Sequence, residues 1–276
     1  GFNWQDYTVH DKVHPNKAGA EKMATVWFEA LKKVLASSET VFSPEIVRYK
    51  TLEDGDSLAL HIFKPRNMQA GEKRPAIVYF FGGGWKLGTP IQFYRECAYY
   101  ASKGMVAVSV DYRIGYLHHS TPFESFEDAK DAICWLRSHA SDYQLDPDKI
   151  AVAGGSAGGH LAAALGTIGS DETVPAGYRP NLSVLYYPVI DMVSRGYGFP
   201  EIKRDFEKIS PIHHVSEATP STLILLGTKD PIVSVETIEA YQDKLLQKGV
   251  DCELHLFEGA GHPIFLYRKP LTEEYY

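Results

Sequence analysis

Between residues 75 and 257 short apolar runs at 75–81, 105–111, 149–153, 182–187, 222–227 and 252–257 alternate with helical-period segments at 91–103, 123–140, 157–168 and 235–248. Few folds accept that rhythm. A strand that re-enters a sheet parallel to its predecessor needs a long crossover, usually a helix, and strands covered on both faces read as continuous apolar runs. Two further runs, Ile46 to Thr51 and Leu58 to Phe63, flank Glu53-Asp54-Gly55-Asp56, where Asp-Gly is a hairpin signal. The predicted class is therefore α/β, with a mostly parallel central sheet of about eight strands, an antiparallel pair at its start and helices on both faces.

Composition enters mainly by exclusion. Against 35 Asp+Glu there are 28 Lys+Arg, a formal charge of 28 − 35 = −7, which argues against a nucleic-acid partner because backbone recognition needs surplus cations. Hydrophobic residues at 44% and charged residues at 23% suit a globular chain with its own core. Its 276 residues accommodate one large α/β domain or two small ones. Cys97, Cys134 and Cys252 are widely spaced and suggest neither a disulfide framework nor a zinc site. His118-His119 and His213-His214 are adjacent pairs without carboxylate or Cys neighbours, so no metal and no cofactor is expected. No apolar run approaches the ~20 residues of a membrane span, and residues 1–10 lack the pattern of a signal peptide. Compartment and oligomeric state stay open.

Gly154-Gly155-Ser156-Ala157-Gly158 lies after the run Lys149 to Ala153 and before a helical segment. A tight strand-to-helix turn with small neighbours holds a Ser in a strained conformation and exposes its hydroxyl at the sheet edge. A Gly-rich helix start that only packs closely, or binds an anion, is the alternative. Phe81-Gly82-Gly83-Gly84-Trp85 follows another strand, and its unobstructed N–H groups can stabilise an oxyanion together with that of Ala157. Gly83, Gly84 and Ala157 are the candidate donors. A Ser needs a base, and the base an orienting acid. Asp230 follows the run at 222–227, and His262 follows the run at 252–257 in Glu258-Gly259-Ala260-Gly261-His262. Both are expected on loops at the carboxyl edge that carries Ser156, with Glu258 as the rival acid. His160, one turn beyond Ser156, is expected to pack or cap.

Together, FFGGGW at 80–85, SVDYR at 109–113, GGSAGGH at 154–160, LLGTKDPIV at 225–233 and EGAGHPIF at 258–265 resemble α/β-hydrolase esterases of the hormone-sensitive-lipase-like and bacterial feruloyl/acetyl esterase group. The resemblance spans about residues 44–267. It implies an α/β-hydrolase fold and a Ser156, His262 and Asp230 triad working through an acyl-enzyme. Short acyl esters, acetyl or feruloyl groups on plant polysaccharide, are the implied substrates, which would suit an extracytoplasmic location. Those relatives usually carry His before the three glycines, where this chain has Phe81. Arg113 is expected to brace its loop through an ion pair. Phe81, Trp85, Tyr186 and Tyr187 are expected as aromatic walls of the substrate pocket. A generic carboxylesterase, a peptidase or amidase of the same fold, and a catalytically idle binding domain are the alternatives.

Asp11-Lys12-Val13-His14-Pro15-Asn16 and the amphipathic helix predicted over 17–36 resemble the carboxyl-terminal end of an SGNH (GDSL) hydrolase. No Ser block of that family precedes them. The expected division is thus a tail and helix over 1–40 and a catalytic domain over 41–276, with 191–220 as a possible insertion over the sheet edge. Beyond Phe265 such relatives finish with a further helix, for which the segment Lys269 to Tyr276 is short.

Overall fold

The computed structural model describes residues 43–66, 68–168, 176–192 and 205–264. The chain divides into two units, Gly1–Ser43 and Pro44–Tyr276, and the structural description concerns the second. The SGNH-like tail, the predicted helix at 17–36, most of the front of the proposed insertion and the chain end lie outside the described residues.

Strands β1 (Glu45–Thr51), β2 (Ser57–Phe63), β3 (Arg74–Phe80), β4 (Val106–Val110), β5 (Leu145–Gly155), β6 (Leu182–Tyr186), β7 (Ser221–Gly227) and β8 (Cys252–Phe257) form one sheet in the order β1-β2-β4-β3-β5-β6-β7-β8. The pairs β1/β2 and β2/β4 are antiparallel and the remainder parallel. All five residues of β4 are buried, which requires cover on both faces. The cover comes from α1 (Tyr94–Ser102), α2 (Pro122–Ser138), α3 (Ala157–Thr167) and α4 (Val235–Gln247). The fold is that of an α/β-hydrolase.

Local chemistry accounts for the element ends. Gly55 turns the β1/β2 hairpin at φ 90°, and Leu52 N donates to Asp56 O at 2.8 Å. Pro122 opens α2 behind a capping box in which Phe123 N donates to the Thr121 hydroxyl and Thr121 N to Glu124. Ser234 caps α4, and Gly249 past its end takes φ 74°.

Leu145-Asp146-Pro147, which reads as a turn ahead of the strand at 149–153, lies within β5, which already pairs at Leu145 with Arg74 and then bulges, so that Ala76 meets Ile150. The turn chemistry is present, with Asp148 N donating to the Asp146 carboxylate, but pairing resumes around it. The described part of 191–220 packs into the domain. Ile209 and Ile212 are buried, and Ile212 N donates to Ile190 O.

Arg113 braces its loop as expected. Its Nε and Nη2 each lie 2.8 Å from a carboxylate oxygen of fully buried Asp128 on α2. Lys50 of β1 reaches the same carboxylate at 2.6 Å, so one buried acid ties the hairpin, the loop after β4 and α2 together.

The sheet order decides where a site can form. From β3 the chain crosses to β4 on one side, and from β5 it proceeds to β6 on the other. β3 and β5 are paired neighbours, with Phe80 opposite Gly154. Their two carboxyl-end loops diverge and leave a crevice between them, the general location of ligand sites in open α/β sheets. The loops concerned carry Gly82-Gly83-Gly84 and Ser156.

Candidate active site

Ser156 occupies the turn between β5 and α3 at φ 56°, ψ −117°, a conformation that a non-glycine residue adopts only when its surroundings enforce it. They do so by close approach. A Cβ on Gly158 would lie 2.0 Å from the Phe80 carbonyl oxygen, and one on Gly155 would lie 2.8 Å from the Tyr187 hydroxyl. Only glycine lets α3 start so near β3, and that contact points the serine into the crevice.

The loops after β7 and β8 are laced to one another. Thr228 N donates to Phe257 O at 3.0 Å, Lys229 N to Ala260 O at 2.8 Å and Gly259 N to the Thr228 hydroxyl at 2.8 Å. They bring Asp230 and His262 to the serine. His262 Nδ1 lies 2.7 Å from Asp230 Oδ2 and its Nε2 lies 2.9 Å from Ser156 Oγ. A carboxylate only accepts, so Nδ1 carries the proton and Nε2 presents its lone pair to the serine hydroxyl.

Asp230 Oδ1 accepts from the N–H groups of Ile232 and Val233 at 2.8 and 2.9 Å. Burial alone would raise this carboxyl. The hydrogen bonds from His262 and the two backbone N–H groups outweigh it and hold the group below its ordinary value, as an anion. Exposed Glu258 makes no such contact with His262.

The glycine loop faces Ser156 from β3. Gly83 and Gly84 take φ 142° and 63°. Among the described residues nothing accepts from the N–H of Gly83, Gly84 or Ala157, whereas Gly82 N donates to the Gln92 side chain. These three N–H groups are available to an oxyanion in a cavity of about 360 Å³ that Gly83, Gly84, Ser156 and His262 line. Leu87, Ile232 and Pro263 supply its apolar wall, and among the described residues no Lys, Arg, Asp or Glu lines it.

The expected aromatic walls are mostly elsewhere. Phe81 is fully buried and stacks on Tyr112 at 4.1 Å, and Trp85, 1% exposed, points into the interior at His160. Tyr186 alternates to the other side of its strand and packs near Phe93. Only Tyr187 reaches the cavity, its ring edge-on to His262 at 4.7 Å. Strand alternation and the left-handed turn at Trp85 (φ 58°) direct these rings, and neither is legible from residue type. Gln92, Leu87 and Ile232 were missed because only tertiary approach delivers them. His160 gave a signal: it is polar on a helix buried along its whole length, so it had to have partners.

The BD-FAE family model matches residues 60–204, more than half the chain and including both the glycine loop and the serine turn. The chain belongs to the BD-FAE family. The match begins beyond the SGNH-like segment with Asp11 and His14. The chain is also similar to the thermophilic esterase Est2 of Thermogutta terrifontis, at 36% identity and a TM-score of 0.78, covering 84% of this chain and 87% of that one. A propionate-bound structure of Est2 matches at 35% identity and a TM-score of 0.78, covering 86% and 91%. Among curated relatives, Esterase LipC of Mycobacterium tuberculosis is 28% identical over 241 residues, 76% of this chain and 57% of LipC. Acetylxylan esterase of Xylanibacter ruminicola is 26% identical over 227 residues, 76% and 44% of the two chains. The chain spans about half the length of such curated relatives. This BD-FAE member therefore carries a carboxylic ester hydrolase domain of the α/β-hydrolase fold.

Proposed function

We propose that the chain is a serine esterase that hydrolyses short-chain acyl esters, with acetyl groups on plant polysaccharide as the preferred substrates. The observation that carries this reading is the hydrogen-bonded series Ser156, His262, Asp230 beside three N–H groups that have no acceptor among the described residues. Ser156 Oγ attacks the ester carbonyl while His262 Nε2 takes its proton. The tetrahedral oxyanion accepts from Gly83, Gly84 and Ala157, and His262 then returns the proton to the leaving alcohol. Water, deprotonated by the same imidazole, releases the acid from the acyl-serine. Asp230 stays ionised and stabilises the imidazolium.

Chain length follows from the cavity. About 360 Å³ is at the lower end of small-molecule sites, which favours acetyl to butyryl groups. The propionate bound to Est2 and the activity named for the Xylanibacter relative support the same class. Feruloyl esters drop in rank, since of the four aromatics only Tyr187 remains beside the site. Turnover of p-nitrophenyl esters from acetyl to palmitoyl, with acetylated xylan, methyl ferulate and a p-nitroanilide alongside, tests the reading. The expected optimum lies at two to four carbons, with loss of all turnover in Ser156→Ala. An optimum at the long end, or faster anilide cleavage, would refute it in favour of a lipase or peptidase.

A further inference from the structure

Helix α3 begins at the serine turn and is buried throughout, yet it carries an imidazole one turn in. His160 is fully buried, and its backbone N donates to Ser156 O at 2.9 Å. On one side the Trp85 indole N–H donates to His160 Nδ1 at 3.2 Å, with the rings edge-on at 5.1 Å and 85°. On the other, His160 Nε2 lies 2.7 Å from the Ile209 carbonyl. A carbonyl only accepts, so the imidazole proton is on Nε2 and the Nδ1 lone pair belongs to Trp85. Both ring nitrogens are committed, and neither His160 nor Trp85 lines the cavity.

We propose that His160 is a positioning residue for the oxyanion loop, holding Trp85 and thereby the N–H groups of Gly83 and Gly84 against Ser156. Trp85 follows Gly84 directly and has φ 58°, a left-handed backbone that a bulky side chain keeps only under external restraint. The indole bond to His160 is such a restraint, and the Trp85 carbonyl is held as well, accepting from Gly115 N at 2.8 Å. Behind the glycines, the Tyr112 hydroxyl donates to the Phe81 carbonyl at 2.6 Å. The loop is thus pinned on both flanks of the donor glycines. Because the Trp85 anchor sits one helical turn from the nucleophile, donors and serine are fixed to the same rigid element. Burial lowers the His160 pKa to about 4 against the bond to Ile209, so this arrangement persists at neutral pH.

The inference rests on the serine-esterase reading, and its test separates the two. Trp85→Phe keeps an aromatic ring and removes the N–H; His160→Leu removes both ring contacts; His160→Gln retains an amide that can accept from Trp85 and donate to Ile209. Each is assayed on p-nitrophenyl acetate and on its thiono counterpart, whose C=S sulfur is a poor hydrogen-bond acceptor and draws little from the donor loop. Trp85→Phe and His160→Leu should lower kcat on the oxoester at least tenfold with KM within twofold. The oxo-to-thiono ratio should fall in parallel, His160→Gln should regain most of the loss, and the double variant Trp85→Phe/His160→Leu should be no slower than the slower single. A fall in turnover with an unchanged ratio would make the contact merely structural and overturn the proposal. So would kcat within twofold of the parent in Trp85→Phe, a result that leaves the esterase reading intact if Ser156→Ala is silent. A parent without ester turnover overturns both.

Discussion

Replacing Asp230 by Asn changes one oxygen to an amide, and the hydrogen bonds around it determine which. Oδ1 accepts from the N–H groups of Ile232 and Val233, which an NH2 group cannot do, so the amide oxygen must stay with the loop. The NH2 then faces His262 Nδ1, at the 2.7 Å position where the carboxylate now accepts. The ring can answer only by presenting a lone pair at Nδ1 and moving its proton to Nε2, toward Ser156 Oγ at 2.9 Å. In that tautomer the base has no lone pair for the serine proton, and the imidazolium of the transition state loses its counter-charge. Loss of the analogous carboxylate in serine hydrolases costs ~10⁴ in kcat, or ~5 kcal/mol of transition-state stabilisation. Asp230 does not line the cavity, so KM should stay within about threefold. Steady-state kinetics on p-nitrophenyl acetate near pH 8, with a thermal melt to verify folding, read both quantities. The reasoning fails if Asp230→Asn keeps more than about a tenth of parental kcat, or if Glu258→Gln is the more damaging change.

Gly158→Ala touches no substrate, but its methyl would lie 2.0 Å from the Phe80 oxygen and 2.4 Å from that of Phe81, forcing the glycine loop and α3 apart. Overpacking of this kind costs about 1–3 kcal/mol and a 1 Å displacement of catalytic groups costs ~10² in rate, so melting temperature and kcat should both fall; kcat within threefold would show that the loop can yield. Stability should also depend on His160. Its folded value of about 4 lies below the ordinary 6.5, so the unfolded chain takes up the proton first. The contribution is full above pH 6.5, declines as pH falls toward 4 and amounts to roughly 3 kcal/mol. Urea unfolding followed from pH 8 to 4 should show that decline, and His160→Gln should flatten it; a flat parental curve in this window contradicts the buried neutral imidazole. Below pH 3.8 the lowered Asp230 carboxyl should add a further loss, because its stabilising effect is present above the unfolded value and disappears as pH falls through the folded one.

Element type and order were legible because they rest on local physics. Continuous apolar runs separated by helical-period segments leave a parallel sheet as the economical way to bury both faces of each strand. The hairpin at Asp54-Gly55 follows from the backbone preference of a single residue. The order Ser156, Asp230, His262, each shortly after a strand, was likewise visible, and parallel strands necessarily deliver such loops to one edge. What the linear chain left undecided was distance and direction. That β3 lies beside β5, so that Gly83 and Gly84 face Ser156, depends on strand order, which periodicity does not encode. Phe81 and Trp85 read as pocket walls because aromatics beside a loop often are. The structure turns both inward, Phe81 onto Tyr112 and Trp85, whose backbone is left-handed, onto His160. Residue identities determined which conformations were affordable at each position; only the packing of α3 against β3, through glycines that admit backbone at contact distance, decided which groups meet across the crevice.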